Sequence, residues 1–262
     1  MLCNVFNGGG GGTPMISPRP DAGLVVAIIG SDGSGKSTLC RDLSAQLRSL
    51  GPVDDVYFGS GDGTSSWLRW PLVQARRLLP SPRATNAAPP RSRDVAEADT
   101  SRRPPLVAGA RVVWALTLAW EKRAKLRAVN RARRRGRLVL CDRFPQAQVG
   151  GLMDGPLLHA WTLRRSGMRR AIAGWEARAY HLAERQPPDL VLRLVVDQLH
   201  AERRRPEHDP LDLRRRREII AALRFDGARF GVVDLDATMP VEDVRRAALR
   251  AIDECRDGAP SS

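Results

Sequence analysis

The sequence predicts an α/β protein in three layers, a parallel sheet of about five strands with helices on both faces. Two observations carry this. Short apolar runs rich in β-branched residues recur along the 262 residues, each followed by helical sequence, and strands alternating with helices close into a parallel sheet buried on both sides. The first run, Leu24-Val25-Val26-Ala27-Ile28-Ile29, ends in a glycine-rich turn, and ligands of such sheets bind beyond the carboxyl ends of the strands.

Residues 24–29 form the first strand, continuous rather than alternating and therefore central. An amphipathic helix over 37–50 follows and is stopped by Gly51-Pro52. Residues 53–58 form a second strand. Residues 80–105 hold Pro, Arg, Ala and Ser without an apolar period and are expected to be a mobile insertion. Residues 106–134 read as one long helix, apolar in its first half and basic in its second. Leu138-Val139-Leu140-Cys141 is a third strand, with Cys141 as a small core residue. Helical sequence fills 155–185, and residues 190–196 make a fourth strand. Asp197 is a suitable N-cap for a helix through Arg203-Arg204-Arg205. A basic helix over 211–223, a fifth strand over 231–235 and a closing helix over 241–255 complete the domain. Residues 1–22, with the glycine run Gly8 to Gly12 and Pro14, Pro18 and Pro20, are expected to be a disordered tail. One domain over 23–258 remains.

The formal net charge is +14. The excess is almost all arginine, spread over several helices with few aromatics beside it, so a nucleic-acid partner is not expected. The longest apolar stretch, 106–120, contains Arg111 and falls short of the roughly 20 residues that cross a bilayer. Cys3, Cys40, Cys141 and Cys255 lack paired spacing, which suits a reducing cytoplasm.

The chemistry begins at Gly30-Ser31-Asp32-Gly33-Ser34-Gly35-Lys36-Ser37, a complete G-x-x-x-x-G-K-[ST] match, followed by Thr38. The glycines let the backbone turn several N–H groups toward one anion, and the following helix adds its positive end. Lys36 reaches the β- and γ-phosphates of ATP, and the Ser37 hydroxyl can ligate Mg²⁺. Asp142 follows an apolar strand as a Walker-B carboxylate does. It could hold Mg²⁺ or accept a proton; otherwise it caps a turn.

With Asp32 inside the loop, Asp142-Arg143-Phe144 after a strand, and Pro188-Asp189-Leu190 opening another before an Arg-rich segment, the chain resembles the thymidylate kinase family of P-loop nucleoside-monophosphate kinases. The resemblance runs from about residue 24 to residue 255. It implies a three-layer P-loop kinase fold with an Arg-rich lid at about 200–217, and Mg²⁺ and ATP as cofactors. Asp32 would contact the acceptor's sugar hydroxyl or organise the site. Arg143 would hold the acceptor phosphate, and Arg203, Arg204 and Arg205 would close over the transferring group, since the P-loop itself carries no arginine. Arg204 stands with Lys36, Asp142 and Arg143 as a catalytic candidate. The family's Arg-Glu-Pro-Gly-Gly segment is absent: its place reads Tyr57-Phe58-Gly59-Ser60-Gly61-Asp62-Gly63.

Arg214 to Arg217 read either as solvated helix surface or as lid. His208 reads as a surface residue, and His159, His181 and His200 are assigned nothing. Trp114 and Trp120, with Val112, Val113, Leu116 and Leu118, make a helix apolar nearly all round. Its readings, in order, are a buried core helix, a homodimer face and a membrane-surface contact. Trp67 and Trp70 read as packing residues, or else as a base-stacking pair. The activity these features favour is transfer of the γ-phosphoryl group from Mg–ATP to a nucleoside monophosphate. A sugar or polyol acceptor, and a P-loop ATPase or regulatory module, stand as alternatives.

Overall fold

The structure, a computed structural model, describes residues 23–59, 105–163, 167–204 and 209–258. Five strands, β1 (Val25–Gly30), β2 (Val53–Tyr57), β3 (Leu138–Asp142), β4 (Leu190–Val195) and β5 (Val232–Asp236), form one parallel sheet in the order β2-β3-β1-β4-β5. Among the described residues seven helices accompany them: α1 (Lys36–Leu47), α2 (Pro105–Arg134), α3 (His159–Thr162), α4 (Gly167–Arg185), α5 (Gln198–Arg204), α6 (Pro210–Ala222) and α7 (Val241–Arg256). This is the three-layer P-loop fold expected from the alternation of strand and helix. The expected tail and the 80–105 insertion lie outside the described residues, apart from the helix start at Pro105. Trp67 and Trp70 also lie outside them.

The central strand is buried along its whole length because its alternate residues feed two cores. Val26 and Ile28 pack with Leu39, Leu43 and Leu47 of α1 and Ala248 and Ile252 of α7. Val25, Ala27 and Ile29 pack on the opposite face with Leu126 and Val129 of α2 and Ala183 of α4. Cys141, fully buried, belongs to this second core. Asp189 ties the fold together just before β4. Its carboxylate accepts from Val25 N at 2.9 Å and from Arg133 Nη2 at 2.5 Å.

Two expectations are corrected. Helical sequence was expected from 155 to 185, yet residues 155–158 close a loop that begins at 143, and among the described residues of that span α3 and α4 are helical. At 155–158, where helix was expected, Pro156 has no N–H and Leu157 N and Leu158 N donate to the Glu176 carboxylate at 2.7 and 2.8 Å, so these groups do not enter a helical ladder. The turn before them is wound around Gln146, whose side-chain amide bonds four backbone groups between Val149 and Met153. The other concerns α2, which is not buried all round. Ala115, Leu118 and Ala119 are buried, while Val113 and Trp120 are half exposed. Ala115 and Ala119 pack with Ala173, Ala179 and Tyr180 of α4, and further along Leu126 and Val129 pack on the sheet, so one stripe faces inward.

Candidate active site

The glycine-rich loop leaves β1 at Gly30 and enters α1 at Lys36. Gly33 and Gly35 have φ of 81° and 90°, a region open to glycine and strained for other residues. At Gly30 the constraint is space: a Cβ would lie 2.6 Å from Ser34 Oγ and 2.9 Å from Leu194 O on β4. Ser34 N donates to Ser31 O at 3.2 Å and closes the turn. Lys36 Nζ donates to the same carbonyl at 2.6 Å, folded back over the loop. Lys36 is only 6% exposed. Burial, reinforced by Arg143, lowers its pKa from 10.5 to about 8 against the pull of Asp32, Asp142 and Asp154. A buried ammonium held this far below its ordinary value gains most from an incoming polyanion. Thr38 is exposed on the first turn of α1.

Asp142 ends β3 in register with Ile28 of β1 and Tyr57 of β2, so the Walker-B position falls beside the loop. Ser37 Oγ donates to Asp142 Oδ2 at 2.7 Å. Asp142 Oδ1, Ser31 Oγ and Ser34 Oγ are buried without a protein partner. Among the described residues no three His, Cys, Asp or Glu side chains gather. The protein thus offers a hydroxyl and a carboxylate with a spare buried oxygen. That donor set fits Mg²⁺, which takes one or two protein oxygens and completes its shell with phosphate and water.

Arg143 leaves β3 with φ 69°. Its backbone N donates to Ile28 O at 2.9 Å, and its guanidinium reaches two carboxylates: Nη2 lies 3.1 Å from Asp32 Oδ1, and Nη1 lies 3.4 Å from Asp154 Oδ2. Burial works against its charge, but Asp154 and Asp32 outweigh burial and raise its pKa. Asp32 receives a second arginine from α6, with Arg216 Nη1 at 2.5 Å from Asp32 Oδ2. Burial would raise the Asp32 carboxyl, yet Lys36, Arg143 and Arg216 hold it below the usual carboxylate range.

The lid candidates divide. Arg204 on α5 donates to Gly33 O at 3.3 Å and to Ala237 O at 3.1 Å, bridging the loop to the segment after β5. Asp197 bonds His200 N at 2.7 Å, as an N-cap does. On α6, Arg216 points to the loop and Arg217 to Val196 O, at 2.7 Å. Arg214 instead pairs with Glu218 along the helix surface. Arg203 is exposed. Arg205 and His208 lie outside the described residues.

The geometry thus gathers Asp32, Lys36, Ser37, Asp142, Arg143 and Arg204 around one loop. It adds three residues that sequence reasoning missed: Arg216, Asp154 and Lys122. Arg216 could not be singled out within its run of four arginines. Asp154 sat just before the helical sequence that begins at 155, in a stretch assigned no element, and Lys122 sat within a long helix. The visible signal was Glu121-Lys122, two charges at the end of an apolar run. Both side chains are buried.

No family model matches the chain. It is similar to the uncharacterized ATP-binding protein YghS of Escherichia coli (strain K12), with 31% identity over 233 residues, 87% of this chain and 92% of the relative. It is also similar to the uncharacterized ATP-binding protein YghR of the same organism, with 30% identity over 251 residues, 90% of each chain. The chain belongs to the family of these ATP-binding proteins.

Proposed function

We propose that this member of the YghR and YghS family binds Mg–ATP on the loop from Gly30 to Thr38 and transfers the γ-phosphoryl group to a nucleoside monophosphate. One observation carries the reading: guanidinium groups from two different elements, Arg143 at the end of β3 and Arg216 on α6, converge on a single carboxylate of the phosphate loop. A loop that only binds and releases ATP has no need for two converging arginines beside it. A phosphotransferase does, because phosphoryl transfer rests on positioning and on stabilising charge on oxygen.

The chain's own residues divide the task. Backbone N–H groups of the loop and the start of α1 face the donor phosphates, and Lys36 supplies the charge that its buried position leaves under-compensated. Ser37 and Asp142 would hold Mg²⁺, which supplies charge neutralisation on the phosphates when bound. Arg204, between the loop and the segment after β5, flanks the donor side. Arg143, at the end of β3, would hold two oxygens of the acceptor phosphate in its fork. The reading puts the work in the cytoplasm, which the unpaired spacing of the four cysteines suits, and the exposed Val113 and Trp120 of α2 are where a second copy would pair.

A neutral sugar or polyol acceptor is the second reading. It is favoured by Arg143 already facing a carboxylate at each terminal nitrogen, so that the fork orders the site without an anionic ligand. ADP release measured against AMP, CMP, GMP, UMP, dTMP and a set of sugars and polyols decides between them. On the monophosphate reading, Arg143→Ala raises the acceptor KM and lowers kcat with the ATP KM little changed, and Arg143→Lys restores only part. Turnover of a neutral sugar with an acceptor KM that Arg143→Ala leaves unchanged would establish the second reading instead.

A further inference from the structure

We propose that Asp154 is a positioning residue of this site, with Lys122 as its buried counter-ion: together they fix the plane in which the Arg143 guanidinium meets the acceptor. The inference rests on the role proposed for Arg143, and it adds two residues which that role did not include.

Backbone strain provides the first support. Among the described residues the non-glycine positions with positive φ are Arg143 at 69°, Met153 at 46° and Asp154 at 64°. L-residues adopt this region at a cost, and it persists where the surroundings over-determine it. Here the strain sits on both members of one ion pair, Arg143 Nη1 to Asp154 Oδ2 at 3.4 Å.

The surroundings that hold the strain are also visible. Gln146, almost fully buried, donates to Val149 O and Leu152 O at 2.9 Å and to Met153 O at 3.2 Å, and accepts from Val149 N at 2.7 Å. The loop therefore winds around one amide and delivers Asp154 at its end. Gly155 follows in a space too tight for a Cβ, which would lie 1.9 Å from Val149 O. Lys122 Nζ donates to Asp154 O at 2.8 Å and lies 3.7 Å from Asp154 Oδ1. It also lies 5.0 Å from the centre of the Tyr180 ring.

Lys122 and the Asp154 side chain are both more than nine-tenths buried. Burial pushes the Lys122 ammonium down, and Asp154 and then Glu176 oppose that. A buried ion pair is a weak source of stability, because desolvation offsets the attraction. What the pair does supply is direction. Asp32 holds the other side of the Arg143 fork but is shared with Arg216, whereas Asp154 is anchored from behind by Lys122 and by the Gln146 turn. The guanidinium plane is thus set from the Asp154 side, as a second shell orients a functional group.

The test needs no acceptor for its first arm. In ¹⁵N-labelled full-length protein, Arg143 clamped at both Nη groups gives two separate Nη signals, identified by their loss in Arg143→Lys. Asp154→Asn keeps the size of the side chain and suits a left-handed backbone, and it merges the two signals into one. Lys122→Met/Asp154→Asn, which removes the buried charges as a pair, must merge them as well. Two separate signals persisting in both variants would overturn the proposal. The second arm uses AMP, CMP, GMP, UMP and dTMP in turn at saturating Mg–ATP. Asp154→Asn raises the acceptor KM about tenfold, leaves the ATP KM within about twofold, and adds nothing in an Arg143→Ala background. An equal added loss in that background marks a merely structural role and overturns the proposal. If no monophosphate is turned over by the wild type, the acceptor reading fails while the Nη signals still decide Asp154.

Discussion

Replacing Lys36 by methionine should abolish ATP binding and at the same time make the ligand-free protein more stable. Lys36 is almost fully buried, and its pKa falls from 10.5 to about 8, chiefly through burial and then through Arg143. A depressed ammonium pKa means that the fold disfavours the charge. At pH 7 both the folded and the unfolded chain carry the proton, so the fold bears the full difference, about 3 kcal/mol. Methionine keeps the length of the side chain and removes the charge, but it loses the hydrogen bond to Ser31 O, worth about 1 kcal/mol. The net gain of about 2 kcal/mol corresponds to about 1 M in urea midpoint. The pH dependence has a definite sign. Between pH 8 and 10.5 the unfolded chain still binds the proton that the folded protein has released, so wild-type stability contributed by Lys36 rises with pH. The advantage of Lys36→Met should therefore shrink over that interval and be gone above it. Urea unfolding of both proteins at pH 7 and pH 10, with and without Mg–ATP, measures all of this. A Lys36→Met midpoint at or below wild type at pH 7, or a difference unchanged at pH 10, would refute the reasoning. So would stabilisation of Lys36→Met by Mg–ATP equal to that of wild type.

Two glycines of the same loop should respond differently to alanine. Gly30→Ala places a Cβ against Ser34 Oγ and Leu194 O, and should cost about 2 kcal/mol in urea unfolding while displacing the loop from β4 and weakening ATP binding. Gly35→Ala meets open space but carries φ 90°, so only strain of about 1 kcal/mol is expected; a larger loss than at Gly30 would contradict the packing account. Glu176 is fully buried and accepts from Leu157 N at 2.7 Å and Leu158 N at 2.8 Å. Glu176→Ala leaves one buried and one part-buried N–H group unpaired and should cost about 3 kcal/mol, read as a fall in urea midpoint. A loss below about 1 kcal/mol would mean that water replaces the carboxylate.

The features legible in the sequence were those written in adjacent residues. The loop from Gly30 to Ser37 needs glycines at set positions, a lysine at the helix start and an apolar strand before it, and all lie within one short stretch. The five strands were legible for the same reason, since a strand buried on both faces must be apolar throughout, and their boundaries held to within a residue or so. The loop that runs on to residue 158 was not legible, because the N–H groups of Leu157 and Leu158, read as helical, are taken by the Glu176 carboxylate, which lies well along the chain.

By itself, then, the sequence determined that a phosphate-binding loop sits at the end of a central strand, and that Asp142 and Arg143 end another. Tertiary structure alone decided which charges meet. Arg216 reaches Asp32 across 184 residues, and Arg143 reaches it across 111. One arginine in a run of four is chosen by the rotation of α6 about its axis, which is set by the burial of Leu213 and Ile220. The same holds for α2, where packing on the sheet and α4 selected one stripe of an apolar helix and turned Lys122 inward beneath Asp154. Ion pairs between distant segments leave no local pattern, because each partner's sequence neighbourhood is shaped by its own element's packing and not by the charge it will meet.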